Sequence, residues 1–291
     1  MRTPSCRLLL CVTISFLLVN TSWAQNLYAT GESVQKLFTV DMSTGEVTPL
    51  ASLTNRPDSL IVDSDGRILF TTGGPAGTVS RFDPSTGLVS VIASGLSYPR
   101  DLVFDPSQSS ILVSNFGRGQ IVRINLVTGT VTPLISKLGT VDGLAYDAIG
   151  HLFAVVNHHD QVIQIDPSSG AILKTLTVIT NSPVGWYGLD GLTYDSYTGR
   201  LWAADVGSGT DCASGANCLV EIRTDLSSFN FFQAGSIPAP DGIISDGKGN
   251  LFVGAGAVVA LEYNIPTDTV VNRVKVPSVD DVALAPANAA F

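Results

Sequence analysis

Little of this sequence is charged: Asp, Glu, Lys and Arg make up 14% of 291 residues, against 45% hydrophobic residues. That composition excludes an ion-pair-laced coiled coil and a solvated disordered tail, while 28 Gly without a strict triplet period exclude a collagen-like fibre. Basic residues are the scarcer sign, 16 Lys+Arg to 25 Asp+Glu, a formal charge of −9 that speaks against a nucleic-acid partner. There are only three His and four Cys. No long apolar run occurs away from the N-terminus, so no internal membrane span is expected. A Gly-x-Ser-x-Gly elbow, a phosphate loop and a His-Glu-x-x-His helix are all missing, which leaves serine-triad and zinc-protease chemistry without a basis.

The N-terminus does carry a signal. Arg2 and Arg7 precede an apolar stretch from Leu8 to Val19, and Ser22-Trp23-Ala24 places small residues before Gln25. This is the layout of a secretory signal peptide over 1–24, and the stretch is too short for a stable span. Cys11 lacks the small residue that lipid attachment wants just before it. The expected location is extracellular or periplasmic, with residues 25–291 as one domain. Cys6 and Cys11 leave with the signal, so Cys212 and Cys218 remain, six apart in a small-residue loop. A local disulfide between them is expected in an oxidising compartment.

Self-comparison organises the rest. Pro57-Asp58-Ser59-Leu60-Ile61-Val62-Asp63 is followed by Pro99-Arg100-Asp101-Leu102-Val103-Phe104-Asp105 and Val141-Asp142-Gly143-Leu144-Ala145-Tyr146-Asp147. Leu189-Asp190-Gly191-Leu192-Thr193-Tyr194-Asp195, Pro240-Asp241-Gly242-Ile243-Ile244-Ser245-Asp246 and a truncated Val279-Asp280-Asp281-Val282-Ala283-Leu284 complete the series. The second residues of these words stand 42, 42, 48, 51 and 39 apart. Each word leads through a Gly-bearing turn to a second apolar strand, then to an alternating third. Turns such as Asp83-Pro84-Ser85-Thr86-Gly87 and Asp166-Pro167-Ser168-Ser169-Gly170 lead to a fourth. No helical period is sustained.

Four-stranded antiparallel units of about 40–45 residues are propeller blades, and the mature chain divides into six of about 44. The first unit lacks its first strand and the C-terminus has one to spare. The expected fold is therefore an all-β, six-bladed β-propeller, its first blade closed by N- and C-terminal strands, which removes open edges.

The repeated words resemble the NHL-repeat pattern and, in Pro240 to Val253 especially, the senescence-marker-protein/gluconolactonase family. The resemblance implies a channel-mouth site, a divalent cation and hydrolysis of lactones or esters. By it Asp241 matches a metal ligand best, Asp190 stands where the family has Asn one blade earlier, and Asp58 takes the place of a first-blade Glu. A non-catalytic NHL-like module binding a peptide, glycan or protein is the other implied function, and a streptogramin-type lyase shares the fold.

In a propeller the residue that opens each innermost strand sits at a mouth of the central channel. Here that ring reads Asp58, Arg100, Asp142, Asp190, Asp241 and Asp280. At an effective dielectric of about 20, like charges about 7 Å apart repel by roughly 2.4 kcal/mol. The ring therefore needs a cation, raised pKa values or backbone hydrogen bonds. Oxygen-only ligands at a wet mouth suit Ca²⁺, with Asp241, Asp190, Asp142 and Asp58 as ligands and Asp190 as general base. Turn capping by Asp before Gly is the alternative. Asn115 and Asp205 end equivalent strands and, with Arg100, are candidate ligand contacts, with packing or turn bonding as the alternative for Asn115 and Asp205. His158 beside His159 is a candidate near-neutral base or a solvated pair. Trp186 and Tyr187 are a candidate lid over the mouth. A small-molecule or peptide/glycan ligand and a monomeric state are expected.

Overall fold

The computed structural model describes residues 26–178, 188–206, 217–232, 237–256 and 258–286. Its strands form six four-stranded antiparallel sheets. In five of them the strands follow chain order from the axis outward, as in Pro57–Val62, Ile68–Thr72, Gly77–Asp83 and Leu88–Leu96 of blade 2. Blade 1 is the exception. Its inner strand is the C-terminal Val279–Leu284, paired with Asn26–Gly31, which continues to Lys36–Asp41 and Val47–Ser52. Leu27 faces Leu284, Tyr28 faces Ala283 and Ala29 faces Val282. The expected closure is thus observed, and inner strands of neighbouring blades pack against each other all the way round.

The core lies between blades, because each sheet is apolar on both faces. Trp202, Leu251, Val253 and Tyr263 fill one such layer between blades 5 and 6. The alternating third strands predicted from the sequence put Val162, Ile163 and Ile165 inside. The Pro/Ser/Thr/Gly turns have the expected chemistry. Asp83 and Asp166 accept the amides of Ser85 at 2.9 Å and Ser168 at 2.8 Å, and Gly87 and Gly170 take φ of 72° and 75°.

One feature repeats in all six inner strands. Between Pro57 and Leu60, Pro99 and Leu102, Val141 and Leu144, Leu189 and Leu192, and Pro240 and Ile243 the pairing with the second strand slips. In blade 1 the slip falls opposite Ala29–Gly31. Two inner-strand residues therefore oppose one partner, a β-bulge that re-aims side chains at a sheet's edge. The two are Asp58-Ser59, Arg100-Asp101, Asp142-Gly143, Asp190-Gly191, Asp241-Gly242 and Asp280-Asp281. The bulges present two successive positions to the axis where a regular strand would present one.

Candidate functional site

The bulges build two stacked layers round a cavity of about 100 Å³ on the axis. The outer layer is the predicted ring, the inner one Ser59, Asp101, Gly143, Gly191, Gly242 and Asp281. Beyond them the wall turns apolar with Leu60, Leu102, Leu192, Ile243 and Val282. Asp58, Asp142, Asp190, Asp241 and Asp280 all line this cavity, so the structure brings together the acids that repeat spacing singled out.

Their partners are each other. Arg100 Nη1 donates to Asp58 Oδ2 at 3.1 Å, and its guanidinium carbon lies 5.2 Å from the centre of the Phe116 ring. Asp142 pairs with Asp190, and Asp280 with Asp241. Burial raises all five carboxyls above the usual range, Asp58 to about 7 even beside Arg100. Repulsion from Asp190 adds to the rise at Asp142 and Asp241, as does repulsion from Asp241 at Asp280. Arg100 in turn is held charged by Asp58.

Turn capping does occur, but at the last Asp of each word, on the opposite face. Asp63 Oδ1 accepts the amides of Asp65 and Arg67 at 2.9 Å, and Asp147 and Asp246 do the same for their own turns. Among the described residues the ring carboxylates carry none of these turn bonds. Capping therefore does not explain the ring.

The inner layer divides the channel into unlike halves. In blades 1, 2 and 3 the residue opposing the bulge is a hydroxyl, and it accepts the second bulge amide. Thr30 Oγ1 takes Asp281 N at 2.9 Å, Thr71 Oγ1 takes Ser59 N at 3.0 Å, and Ser114 Oγ takes Asp101 N at 2.9 Å. In blades 4, 5 and 6 the second residue is Gly, opposed by Val155, Ala204 or Gly254. There the strands crowd: a methyl group on Gly191 would stand 2.5 Å from Asp241 O, and one on Gly242 would fall onto the Asp281 carboxylate. Gly191→Ala is expected to cost about 1–3 kcal/mol of stability through overpacking, read from urea unfolding. An unchanged midpoint would show that the inner strands can spread.

Asp101 and Asp281, to which the sequence pattern assigns no role, are the most heavily bonded acids here. Asp101 accepts Leu102 N at 2.7 Å and Leu144 N at 2.6 Å, which joins blade 3 to blade 4. Asp281 accepts Val282 N at 2.7 Å and Leu60 N at 3.1 Å, which joins blade 1 to blade 2. Ser59 Oγ lies 2.5 Å from Asp281 Oδ2 and 3.0 Å from Asp101 Oδ1. A hydroxyl has one proton to give, so one of the acids must supply the second. Burial raises both acids, Asp101 to about 8 and Asp281 to about 6. Their one sequence signal was an acid where three other blades have Gly.

Other predicted contacts sit elsewhere. Asn115 is buried, accepting Ser97 N at 2.7 Å and donating to Gln120. Asp205 is buried beside Cys218, with Sγ 3.9 Å from Oδ2. Neither lines the axial cavity. Both end second strands, where side chains serve as ties to neighbouring segments, as Asn157 Nδ2 does on Leu189 O at 2.8 Å. Trp186, Tyr187 and Cys212 lie outside the described residues, as does the His158 side chain, and His159 is exposed.

The donor set suits a hard divalent cation: desolvated oxygens only, five carboxyls to one guanidinium. In the structure those oxygens face one another in pairs, and among the described residues no three acids already converge on one metal position. A cation would have to displace shared protons.

Residues 14–186 match a family described as SMP-30/Gluconolactonase/LRE-like region. No curated protein matches the chain. A chain of the nidogen/laminin complex superposes with a TM-score of 0.74 at 14% identity, over 91% of this chain and all of that one. TolB from Acinetobacter baumannii gives 0.68 at 16%, over 90% of this chain and 67% of the other. Virginiamycin B lyase from Staphylococcus aureus gives 0.59 at 16%, over 89% and 85%. At these identities the likeness is one of fold.

Proposed function

Because the chain belongs to the SMP-30/Gluconolactonase/LRE-like family, we propose that its channel mouth is a divalent-cation site of Ca²⁺ type that hydrolyses lactones or esters. The observation that supports this is the desolvated carboxyl ring, whose single counter-charge among the described residues is Arg100. Asp241, Asp190, Asp142 and Asp58 are the residues to hold the ion, which when bound supplies Lewis-acid polarisation of a carbonyl. Asp190, freed of the proton it shares with Asp142, takes a proton from the attacking water as general base. Arg100 steadies Asp58 and adds a fixed positive charge beside developing negative charge. The apolar wall from Leu60 to Val282 excludes water from the far side of the cavity.

Metal analysis and a panel of small lactones and aryl esters test this directly. Purified protein is expected to carry a divalent ion, and Asp241→Asn to lose at least about 10–100-fold in ion affinity or turnover. Absence of both metal and turnover, or an Asp241→Asn protein as active as the parent, rejects the proposal. A second reading then leads, that of a non-catalytic module holding a peptide, glycan or small molecule at the same mouth. The mutual pairing of the ring acids favours it, since they are satisfied in part without an ion. One structure of like fold comes from a complex between two proteins, nidogen and laminin.

We further propose secretion after removal of residues 1–24 and a Cys212–Cys218 disulfide. Mass spectrometry of the mature protein, intact and reduced, is expected to begin at Gln25 and to gain two hydrogens on reduction.

A further inference from the structure

On the opposite face from the ring, blades 2 and 3 carry arginines at equivalent third-strand positions. Arg81 pairs with Leu69 on the second strand and Arg123 with Leu112. Arg123 is bonded to the protein through both terminal nitrogens. It bonds the Asp105 carboxylate, Ser110 Oγ at 3.3 Å and, across the blade boundary, Pro167 O at 2.6 Å. The other blades have Thr39, Gln164, Glu221 and Glu262 there.

Arg81 occupies the equivalent place without those bonds, and Arg67 stands where blade 3 has Ser110. Asp63 stands where blade 3 has Asp105, and Leu126 where blade 4 has Pro167, but Arg81 Nε is buried without a hydrogen-bond partner among the described residues. Asp63 spends Oδ1 on the amides of Asp65 and Arg67. Arg67 is itself fastened to Asp65 at 2.5 Å and Asp83 at 3.3 Å. Between them the blades part into a cleft of about 490 Å³ lined by Asp63, Arg67, Arg81, Gln108, Ser109 and Val127. In blade 3 the homologous acid and guanidinium close on one another. In blade 2 they stand apart with space between.

We infer that this cleft is a binding site for a small carboxylate ligand that also carries a hydrogen-bond donor, the chemistry of a hydroxy acid, an amino acid or a peptide C-terminus. The carboxylate meets the Arg81 guanidinium, whose planar donors match its two oxygens. The donor faces the free oxygen of Asp63. Gln108 and Ser109 add neutral polar partners, and Val127, 89% exposed, offers an apolar rim. The site is independent of the channel chemistry, so either can fail alone.

The test follows the arginine Nε–H resonances by NMR while the full-length mature protein is titrated with glycylglycine, lactate, acetate and inorganic phosphate. Arg81 is expected to shift and saturate with glycylglycine or lactate, whereas Arg123 stays put. Arg81→Gln is expected to weaken binding at least about tenfold, or 1.4 kcal/mol. Asp63→Asn should weaken the ligands with donors while leaving acetate unchanged. Arg81→Lys, which keeps the charge, controls for loss of folding. An Arg81 resonance that never shifts overturns the inference. So does one drifting without saturation in step with exposed Arg118, the behaviour of non-specific charge screening. Saturation with phosphate alone would equally reject a carboxylate site.

Discussion

In the presence of a chelator, the protein is expected to melt about 10 °C lower at pH 8 than at pH 5. The acids of the channel hold their protons more tightly folded than unfolded, because burial penalises the charged form. Asp281, Asp58 and Asp101 are pushed up to about 6, 7 and 8. An unfolded chain releases those protons near pH 4. Between there and pH 8 the native state binds more protons than the unfolded one, so stability falls as pH rises. The loss accumulates from about pH 4 and levels off once the folded acids have ionised. Each tenfold gain in a carboxylate's affinity for its proton on folding corresponds to about 1.4 kcal/mol. The three acids together would lose roughly 8 kcal/mol between pH 5 and pH 8, of which water entry and relaxation round the newly formed charges return about half. The net loss of about 3–4 kcal/mol, at roughly 2–4 °C per kcal/mol for a domain of this size, sets the 10 °C. Capped turn acids such as Asp83 and Asp166, held low by their serine partners, act oppositely, but only below pH 4. Calorimetric scans across pH check the slope. Asp101→Asn should flatten it above pH 6, and millimolar Ca²⁺ should restore the melting temperature at pH 8 but hardly at pH 5. A melting temperature that climbs from pH 5 to pH 8 in chelator would mean the ring is ionised and satisfied without protons or ions.

Arg100→Gln is expected to destabilise the protein by about 3–5 kcal/mol at pH 8, the range for breaking a buried pair by removing one member. Side-chain exposure at this pair is 27% for Arg100 and 11% for Asp58, so solvent screens it little. Without the guanidinium, Asp58 faces Asp190 and Asp281 with no counter-charge. At pH 5 the same variant should lose much less, because Asp58 then takes a proton instead. Urea unfolding at both pH values measures the difference. Adding Asp58→Asn should recover much of the loss at pH 8, as expected when the fault is an unpaired charge. Equal losses at both pH values would assign the role of Arg100 to its packing on Phe116.

Much of this was legible from pattern alone. Two-residue alternation, Asp-Pro-Ser-x-Gly turns and a recurring Asp-containing word suffice to expect six blades. They also suffice to expect closure by the last strand, because each strand carries its own burial period. The outer ring was legible for the same reason, since a word copied into every blade puts its second residue at the same height on the axis. Asp101 and Asp281 were visible as letters but not as a layer. A bulge changes which residues face inward, and nothing in the alternation announces it. Asn115 and Asp205 were legible as equivalent strand ends but not as lying outside the axial lining, because equivalence along the chain does not fix the direction of a side chain.

The repeat thus determined by itself the blade count, the manner of closure and the crowding of acids at one mouth, because these depend only on local periodicity. The rise in the proton affinity of the channel acids was decided by the tertiary structure, as was the division of the channel into a hydroxyl half and a glycine half. So was the fact that Arg81 stays open where Arg123 closes. Those outcomes depend on distances between residues dozens of positions apart, and on water excluded only when the blades come together.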